Sequence, residues 1–310
     1  MNMTSKYNYV ICPLCGSDNS KTVFPSTSKI EATETPEVYR CTNPGYGTHD
    51  RIVKCQECNL AYSNPRSPSD AILESYRAVE DPVYVQEQDG RQLTFTHHIR
   101  HLERQIGPAN GRKLLDVGCY TGIFVDVALK HGWNAMGVEP SHWASAFAQQ
   151  QGLPVIEGTL ATANITDASQ DVVTLWDVIE HLPDPLVELR EVARVVKPDG
   201  WTVVHTMDID SLAAKVMHGR WPWLMKMHLI YFSQQTMSDM LRKVGFQPVY
   251  SKAMGRYLRL GYFATRVAAL SPRVGKPFST LIERTGLKGL PIPLNFGDLF
   301  TVYARRTSDL

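Results

Sequence analysis

The sequence predicts an α/β protein: a Rossmann-like open sheet, largely parallel, with a small cysteine-bearing module in front of it. Three observations carry that reading. From Lys113 onward, short apolar runs alternate with amphipathic helical stretches. A glycine turn, Gly118-x-x-x-Gly122, joins the first such run to the first such helix. Ahead of both lie two Cys-x-x-Cys pairs, Cys12/Cys15 and Cys55/Cys58, in a stretch with little apolar content.

The chain of 310 residues is long enough for one α/β domain plus small additions. Its 43% apolar and 20% charged content is that of an ordinary globular protein. A net charge of +1 gives no global reason to expect nucleic acid or an acidic partner. No apolar run reaches the length of a membrane span, and the polar residues 1–10 lack the apolar segment of a secretory signal, so a cytoplasmic location is expected. In a reducing compartment, paired Cys-x-x-Cys reads as metal-binding rather than disulfide-forming.

Three regions follow. Residues 1–68 form the cysteine module, 69–110 a helical linker or cap with helices near 70–76 and 95–106, and 111–310 the main domain. Within the last, strands are predicted at 113–117, 134–138, 154–156, 171–176 and 201–206. Helices are predicted at 123–130, 143–150 and 186–196. Ser233 is placed to cap a helix running to Val244 and ended by Gly245, and strands at 246–251 and 299–304 close the sheet. Two inserts, 208–232 and 254–296, interrupt this order, and the second is too long for a plain loop.

The central motif is Leu114-Leu-Asp-Val-Gly-Cys-Tyr-Thr-Gly122. Its glycines let backbone approach a ligand, and the helix that follows presents free N–H groups. Tyr120 stands where the dinucleotide fingerprint wants its second glycine, which counts against a nicotinamide cofactor. The next strand ends in Val138-Glu139-Pro140, where a carboxylate can accept from both hydroxyls of a ribose. Gly158-Thr159-Leu160, Trp176-Asp-Val-Ile-Glu-His-Leu-Pro183 and Lys197-Pro-Asp-Gly200 follow in turn.

In that order and spacing, these motifs resemble the class I S-adenosylmethionine (SAM)-dependent methyltransferase superfamily over roughly residues 95–305. The resemblance implies a seven-stranded methyltransferase sheet and a SAM cofactor. It implies that Asp116, Gly118 and Gly122 surround the methionine part, Glu139 and Pro140 the ribose, Thr159 the adenine, and Asp177 and Val178 the methyl-donor end. Cys119 belongs to the same turn as a small apolar group. Where the family often carries Gly, this chain has Tyr120. Where the family often has an Asp for the adenine amine, near Thr159, it has none.

Four thiolates in two knuckles match tetrahedral zinc of the structural kind, with Cys41 as an unpaired extra candidate. Together with Leu60-Ala-Tyr-Ser-Asn-Pro65, the module resembles the zinc-ribbon front of bacterial sugar and surface-polysaccharide methyltransferases. The acceptor expected on that basis is a small molecule: a sugar, a nucleotide-sugar or a lipid-linked glycan. The other reading is an RNA or protein methyltransferase that uses the ribbon for recognition.

Methyl transfer is an in-line displacement that needs a placed nucleophile and often a base. Glu180 and His181 follow the fourth strand, and His228-Leu-Ile-Tyr231 precedes the capped helix. His181 and His228 are the base candidates, Glu180 their neighbour and Tyr231 an orienting group. Asp177, Glu180, His181 and His228 also resemble the ligand set of some metal-dependent O-methyltransferases, in which a divalent ion lowers the hydroxyl pKa. The run from Arg256 to Lys288 carries seven basic side chains against one acid, Glu283. It suits a phosphate-bearing substrate, peripheral contact with a membrane surface or a solvated face.

Overall fold

The computed structural model describes residues 7–28 and 35–307. Residues 1–6, part of the polar start on which the expectation of no signal segment rests, lie outside them. Three short strands, β1 (Ser20–Phe24), β2 (Ile52–Cys55) and β3 (Ala61–Ser63), open the chain. Three helices follow: α1 (Ser69–Arg77), α2 (Pro82–Gln86) and α3 (Gln88–Ile106). Alternation then sets in with β4 (Lys113–Val117), α4 (Ile123–Lys130), β5 (Asn134–Glu139), α5 (His142–Gln150), β6 (Val155–Glu157), β7 (Gln170–Trp176), α6 (Pro185–Val195) and β8 (Val196–Met207).

The first insert holds α7 (Leu212–Met217) and β9 (Ile230–Tyr231), and α8 (Gln234–Lys243) and β10 (Phe246–Ala253) come next. The second insert contains β11 (Arg256–Arg259), α9 (Leu260–Leu270), α10 (Pro272–Thr285) and β12 (Pro291–Leu294). The last strand is β13 (Leu299–Arg306).

The main sheet has seven strands in the order β10-β13-β8-β7-β4-β5-β6. Its β4, β5, β6, β7 and β8 pair in parallel, while β13 runs antiparallel to both β8 and β10. Parallel strands covered on both faces read as unbroken apolar runs, as in β4, where Leu114 and Leu115 are fully buried. Each such side chain contributes about 1.5–3 kcal/mol. The helix starts follow local chemistry. Asp184 accepts from the Val187 amide ahead of α6 with Pro185 in the first turn, and Ser233 and Thr236 form a reciprocal capping box on α8.

Two boundaries differ from the sequence expectation. The fifth parallel strand begins at Val196 rather than Trp201, because Lys197-Pro-Asp-Gly200 runs into β8 through a register shift opposite Gln170 and Val172. The helix expected from Phe95 is α3, which has the short α2 ahead of it and begins at Gln88. Its first turns lie against β11, where Tyr257 N donates to Thr94 Oγ1 at 2.8 Å, so tertiary contact extends a helix whose own apolar periodicity starts later.

The smaller sheet, β1-β2-β3-β9, is antiparallel, and its fourth strand comes from the first insert. The cysteine module is thereby sewn to the main domain. Lys243 Nζ, at the end of α8, donates to Leu14 O at 2.7 Å, and Cys12, Leu14 and Cys55 share one apolar cluster with Leu115, Val117 and Phe300. Among the described residues, no helix is long and apolar enough to cross a membrane.

Candidate active site

A cleft of about 390 Å3 opens at the carboxyl ends of the parallel strands, where ligands of such sheets sit. Asp116, Gly118, Cys119, Glu139, Pro140, Thr159, Asp177 and Val178 all line it. Gly118 has φ +67, and a Cβ there would stand 2.7 Å from Val178 Cγ2, so the turn after β4 admits no side chain. Gly122 is placed differently. It is the N-cap of α4 at φ +76, and a Cβ on it would meet Leu153 and Ala148, so it serves helix–sheet packing rather than the cleft wall. Cys119 is buried with its sulfur against Gly137, as a packed small side chain.

Glu139 is buried at the end of β5. Its Oε2 accepts from Tyr120 N and its Oε1 from Ser141 N, each at 2.8 Å. Burial pushes this carboxyl up to about 7, against the pull of the two amides. Tyr120 holds its amide in place at φ +50, a conformation costing about 1–2 kcal/mol in a residue with a side chain. Asp116 accepts from Thr174 Oγ1 at 2.6 Å, and burial pushes it up to about 8.

On the far side, Asp177 stands at φ +54 and pairs with Arg256 Nη2 at 3.2 Å, with His205 Nε2 at 3.8 Å. Burial raises this carboxyl. The cations and imidazoles around it, Arg256 first, outweigh that and hold it below the usual carboxylate range.

His181 and His228 come together, their ring centres 4.9 Å apart. His181 Nδ1 lies 3.0 Å from Met227 O, and His228 Nδ1 2.7 Å from Trp223 O. A carbonyl only accepts, so both Nδ1 atoms carry the proton and both Nε2 atoms present lone pairs. Burial pushes His228 down to about 3 and lowers His181, so both rings are neutral near pH 7. Glu180 is buried beside them. Its Oε2 accepts from Thr206 Oγ1 at 2.9 Å, and burial, followed by the charge of Asp177, pushes it up to about 8.

Ligand atoms of Glu180, His181 and His228 lie within 4.8 Å of one another. Asp177, expected in the same ligand set, stands outside that group because Arg256 takes its carboxylate. Tyr231 is also off the cleft wall. Its hydroxyl donates to Met225 O at 3.2 Å, the same carbonyl that accepts from His228 N at 3.1 Å, so it braces the turn that carries His228.

The four module thiols converge. Cys12 and Cys58 Sγ are 3.4 Å apart, Cys15 and Cys55 Sγ 3.5 Å, and all four lie within 4.8 Å of one another. These separations are far too long for a disulfide. They approach the ~3.8 Å edge of a tetrahedron with zinc–sulfur bonds of ~2.3 Å, so the donor set fits zinc. Cys41 is not part of this cluster. It lies on the cleft wall, beside the module residues Tyr39, Asn43 and Tyr46 that also line it.

No sequence motif marks Arg91 on α3, and Arg256 stands in the sequence only as one basic residue of a run. Arg91 Nε, Trp176 Nε1, Arg256 Nε and His98 Nδ1 are all buried without a hydrogen-bond partner among the described residues. All four residues line one annex of about 40 Å3 beside Asp177. No local signal marks this group, since Arg91 and His98 come from α3, Trp176 from β7 and Arg256 from β11.

The methyltransferase-domain family matches residues 90–251 of the chain. A ubiquinone biosynthesis O-methyltransferase of Paracidovorax citrulli is 34% identical over 116 residues, 35% of this chain and 49% of that protein. The protein of the same name from Photorhabdus laumondii is 28% identical over 160 residues, 49% of this chain and 67% of that one. The chain spans about half the length of the curated relatives it matches. Among solved structures, a chain from the complex between the Haloferax volcanii Trm112 methyltransferase activator and a methyltransferase superposes over 72% of this chain and 94% of that one. Its TM-score is 0.50 at 14% identity, a likeness of fold alone. The family match spans more than half of the chain and covers the five parallel strands of the main sheet with the glycine turn and Glu139, so the chain belongs to the methyltransferase-domain family of the class I SAM-dependent superfamily.

Proposed function

We propose that the chain transfers a methyl group from SAM to a hydroxyl of a small acceptor with a substantial apolar part, a lipid-linked sugar being the class that fits best. The observation that carries this is the joining of three features in one cleft: the Glu139 crevice, the paired imidazoles of His181 and His228, and walls of Tyr39, Tyr76, Met225, Met227, Leu258 and Phe263. The apolar walls favour a lipid-linked glycan over a free nucleotide-sugar. The four-thiol module supports the sugar branch. An O-methylated, lipid-like acceptor is also what the name of the ubiquinone-pathway relatives suggests.

On this reading residues 1–68 are a zinc-ribbon module, 69–110 a helical cap, and 111–310 the methyltransferase domain with its two inserts. Cys12, Cys15, Cys55 and Cys58 hold a structural zinc in the reducing cytoplasm. SAM, when bound, supplies a methyl group on a sulfonium. Glu139 accepts the ribose hydroxyls with the lone pairs its backbone amides leave free. Gly118 and Val178 make room at the turn, Pro140 adjoins the ribose beside Glu139, and Thr159 flanks the adenine side. Asp116 and Asp177 border the methionine end, where the donors of Arg91, Trp176 and Arg256 await a carboxylate. His228 Nε2 takes the acceptor proton while His181 and Tyr231 fix the pocket around it.

A second reading rests on the Glu180, His181 and His228 triad. The carbonyl anchors on both Nδ1 atoms turn the Nε2 atoms outward as metal-bound histidines require. These three residues would hold a divalent ion that lowers the hydroxyl pKa. Turnover that survives dialysis against EDTA supports the first reading, and loss restored by Mg2+ the second.

The test is transfer of radiolabelled methyl from SAM into separate pools of total lipid extract, nucleotide-sugars and RNA. Label in the lipid-linked fraction is expected. Label confined to nucleotide-sugars or RNA would reject the acceptor class, and absence of SAM binding would reject the whole proposal.

Cofactor affinity should also depend on pH. Asp116 and Glu139 are both raised by burial, and a cationic cofactor with donating hydroxyls prefers them ionised. Affinity is therefore full only above about pH 9 and falls as pH drops through about 8 for Asp116 and about 7 for Glu139, by about ten-fold between pH 8 and 6 for Glu139 alone. Calorimetric titration should show Glu139→Gln losing that lower step. Glu139→Ala and Arg91→Ala should each weaken SAM by about 1–3 kcal/mol at pH 8. An unchanged affinity in either variant removes that residue from the cofactor site.

A further inference from the structure

The second insert has a surface that the cleft chemistry does not use. Its helices α9 and α10 pack on each other through Ile282 and a close approach at Gly275, where a Cβ would lie 2.1 Å from Ala268 Cα, with Phe263 edge-on to Phe278. That contact leaves the opposite side of the hairpin bare. On α10 and just beyond it, Val274, Leu281, Leu287 and Leu290 are exposed, with Val274 at 63% and Leu281 at 57% of full accessibility. Val274 and Leu281 are seven residues apart and share one stripe of α10. Arg273 and Arg284 run beside it, roughly a quarter-turn away.

Lys276 and Lys288 add to the exposed positive charge, against the single acid Glu283. Apolar side chains flanked by Arg and Lys on a helix are the pattern of a segment lying in a lipid headgroup layer. The same hairpin also borders the cleft. Phe263, Arg266, Leu270 and Phe296 line it, so whatever surface covers the hairpin adjoins the path by which an acceptor enters.

We infer that the α9–α10 hairpin docks the enzyme on an anionic membrane, with Val274 and Leu281 sunk among the acyl chains and Arg273 and Arg284 on lipid phosphates, so that a membrane-borne acceptor passes directly into the cleft. The docking surface rests on the lipid-linked acceptor reading and gives it a route of delivery. Charge decides the occupant: a second copy of this chain would set one basic stripe against another, whereas an anionic lipid surface neutralises it.

Flotation of the full chain with vesicles tests this. The unmodified protein is expected to rise with equimolar phosphatidylglycerol and phosphatidylcholine vesicles, to stay behind with phosphatidylcholine alone, and to detach as salt is raised. Val274→Asp with Leu281→Asp, both at exposed positions, should cut partitioning on the order of ten-fold or more. SAM affinity and methyl transfer to detergent-dispersed lipid extract should be unchanged in that variant, which also shows that it folds.

Failure of the unmodified protein to float, or flotation of the double variant to the same extent, would overturn the docking surface. So would a dimer in solution that the two aspartates dissolve. If transfer to the dispersed extract persists while flotation fails, the surface falls and the acceptor reading stands. If flotation succeeds and the extract is never methylated, the acceptor reading falls instead.

Discussion

Cys55→Ser is expected to release the proposed zinc and unfold the N-terminal module, with the largest loss of stability of any single substitution considered. Cys55 ends β2, is fully buried, and its sulfur sits 3.5 Å from that of Cys15. Structural zinc in small fingers carries about 10–16 kcal/mol of coupled folding energy. Here part of the module is also held by β3–β9 pairing and by the apolar cluster shared with the main sheet, so a loss of several kcal/mol is expected rather than the whole.

Colorimetric zinc release together with thermal unfolding checks this: one zinc per chain in the parent, none in the variant, and an added low-temperature transition. Acceptor turnover should fall as well, since Tyr39, Asn43 and Tyr46 of the module line the cleft. Cys41→Ser, away from the cluster, should retain the metal. A Cys55→Ser chain as stable as the parent would show that the thiols hold nothing structural.

His228→Ala is expected to lower kcat by about 10²-fold, the lower end of the range for removing a general base, with SAM affinity intact. The low end follows from the site. Burial pushes His228 down to about 3, so the ring is neutral across pH 5–8 but weakly basic. For the proposed hydroxyl acceptor that suffices, because an alcohol oxygen becomes strongly acidic as its new bond to carbon forms. With its pKa lowered, protonation of His228 switches the rate off only well below pH 5, so His228 imposes no acid limb on kcat at physiological pH.

His228→Asn, a smaller polar replacement, serves as the folding control, and both variants should bind SAM as the parent does. Normal turnover in His228→Ala would remove the residue from the catalytic set. A loss accompanied by disappearance of Mg2+ dependence would move its role to metal binding.

What could be read in advance divides along a physical line. Signals that live within one turn or one element were legible. Strand β4 and helix α4 lie where periodicity put them, because each is held by its own short apolar pattern. The glycine turn and Glu139 sit at consecutive strand ends, so register alone brings them into one crevice. The Cys-x-x-Cys pairs carried their geometry in their spacing, and the Ser233 cap was written in four residues. Sequence also marked 254–296 as more than a loop without saying what it forms.

Tertiary structure alone decided the rest. Asp177 was expected beside Glu180 and His181, yet Arg256, seventy-nine positions away, draws its carboxylate off. The annex of Arg91, His98, Trp176 and Arg256 forms no motif in the sequence, since packing of three elements, α3, β7 and β11, creates it. Cys41 looked like a spare ligand and proved to be cleft wall, and β9 from an insert completed a sheet that begins before residue 25. Local chemistry is set by neighbours a few residues apart. Charge pairing, burial and the shape of the acceptor chamber depend on which distant segments the folded core brings into contact.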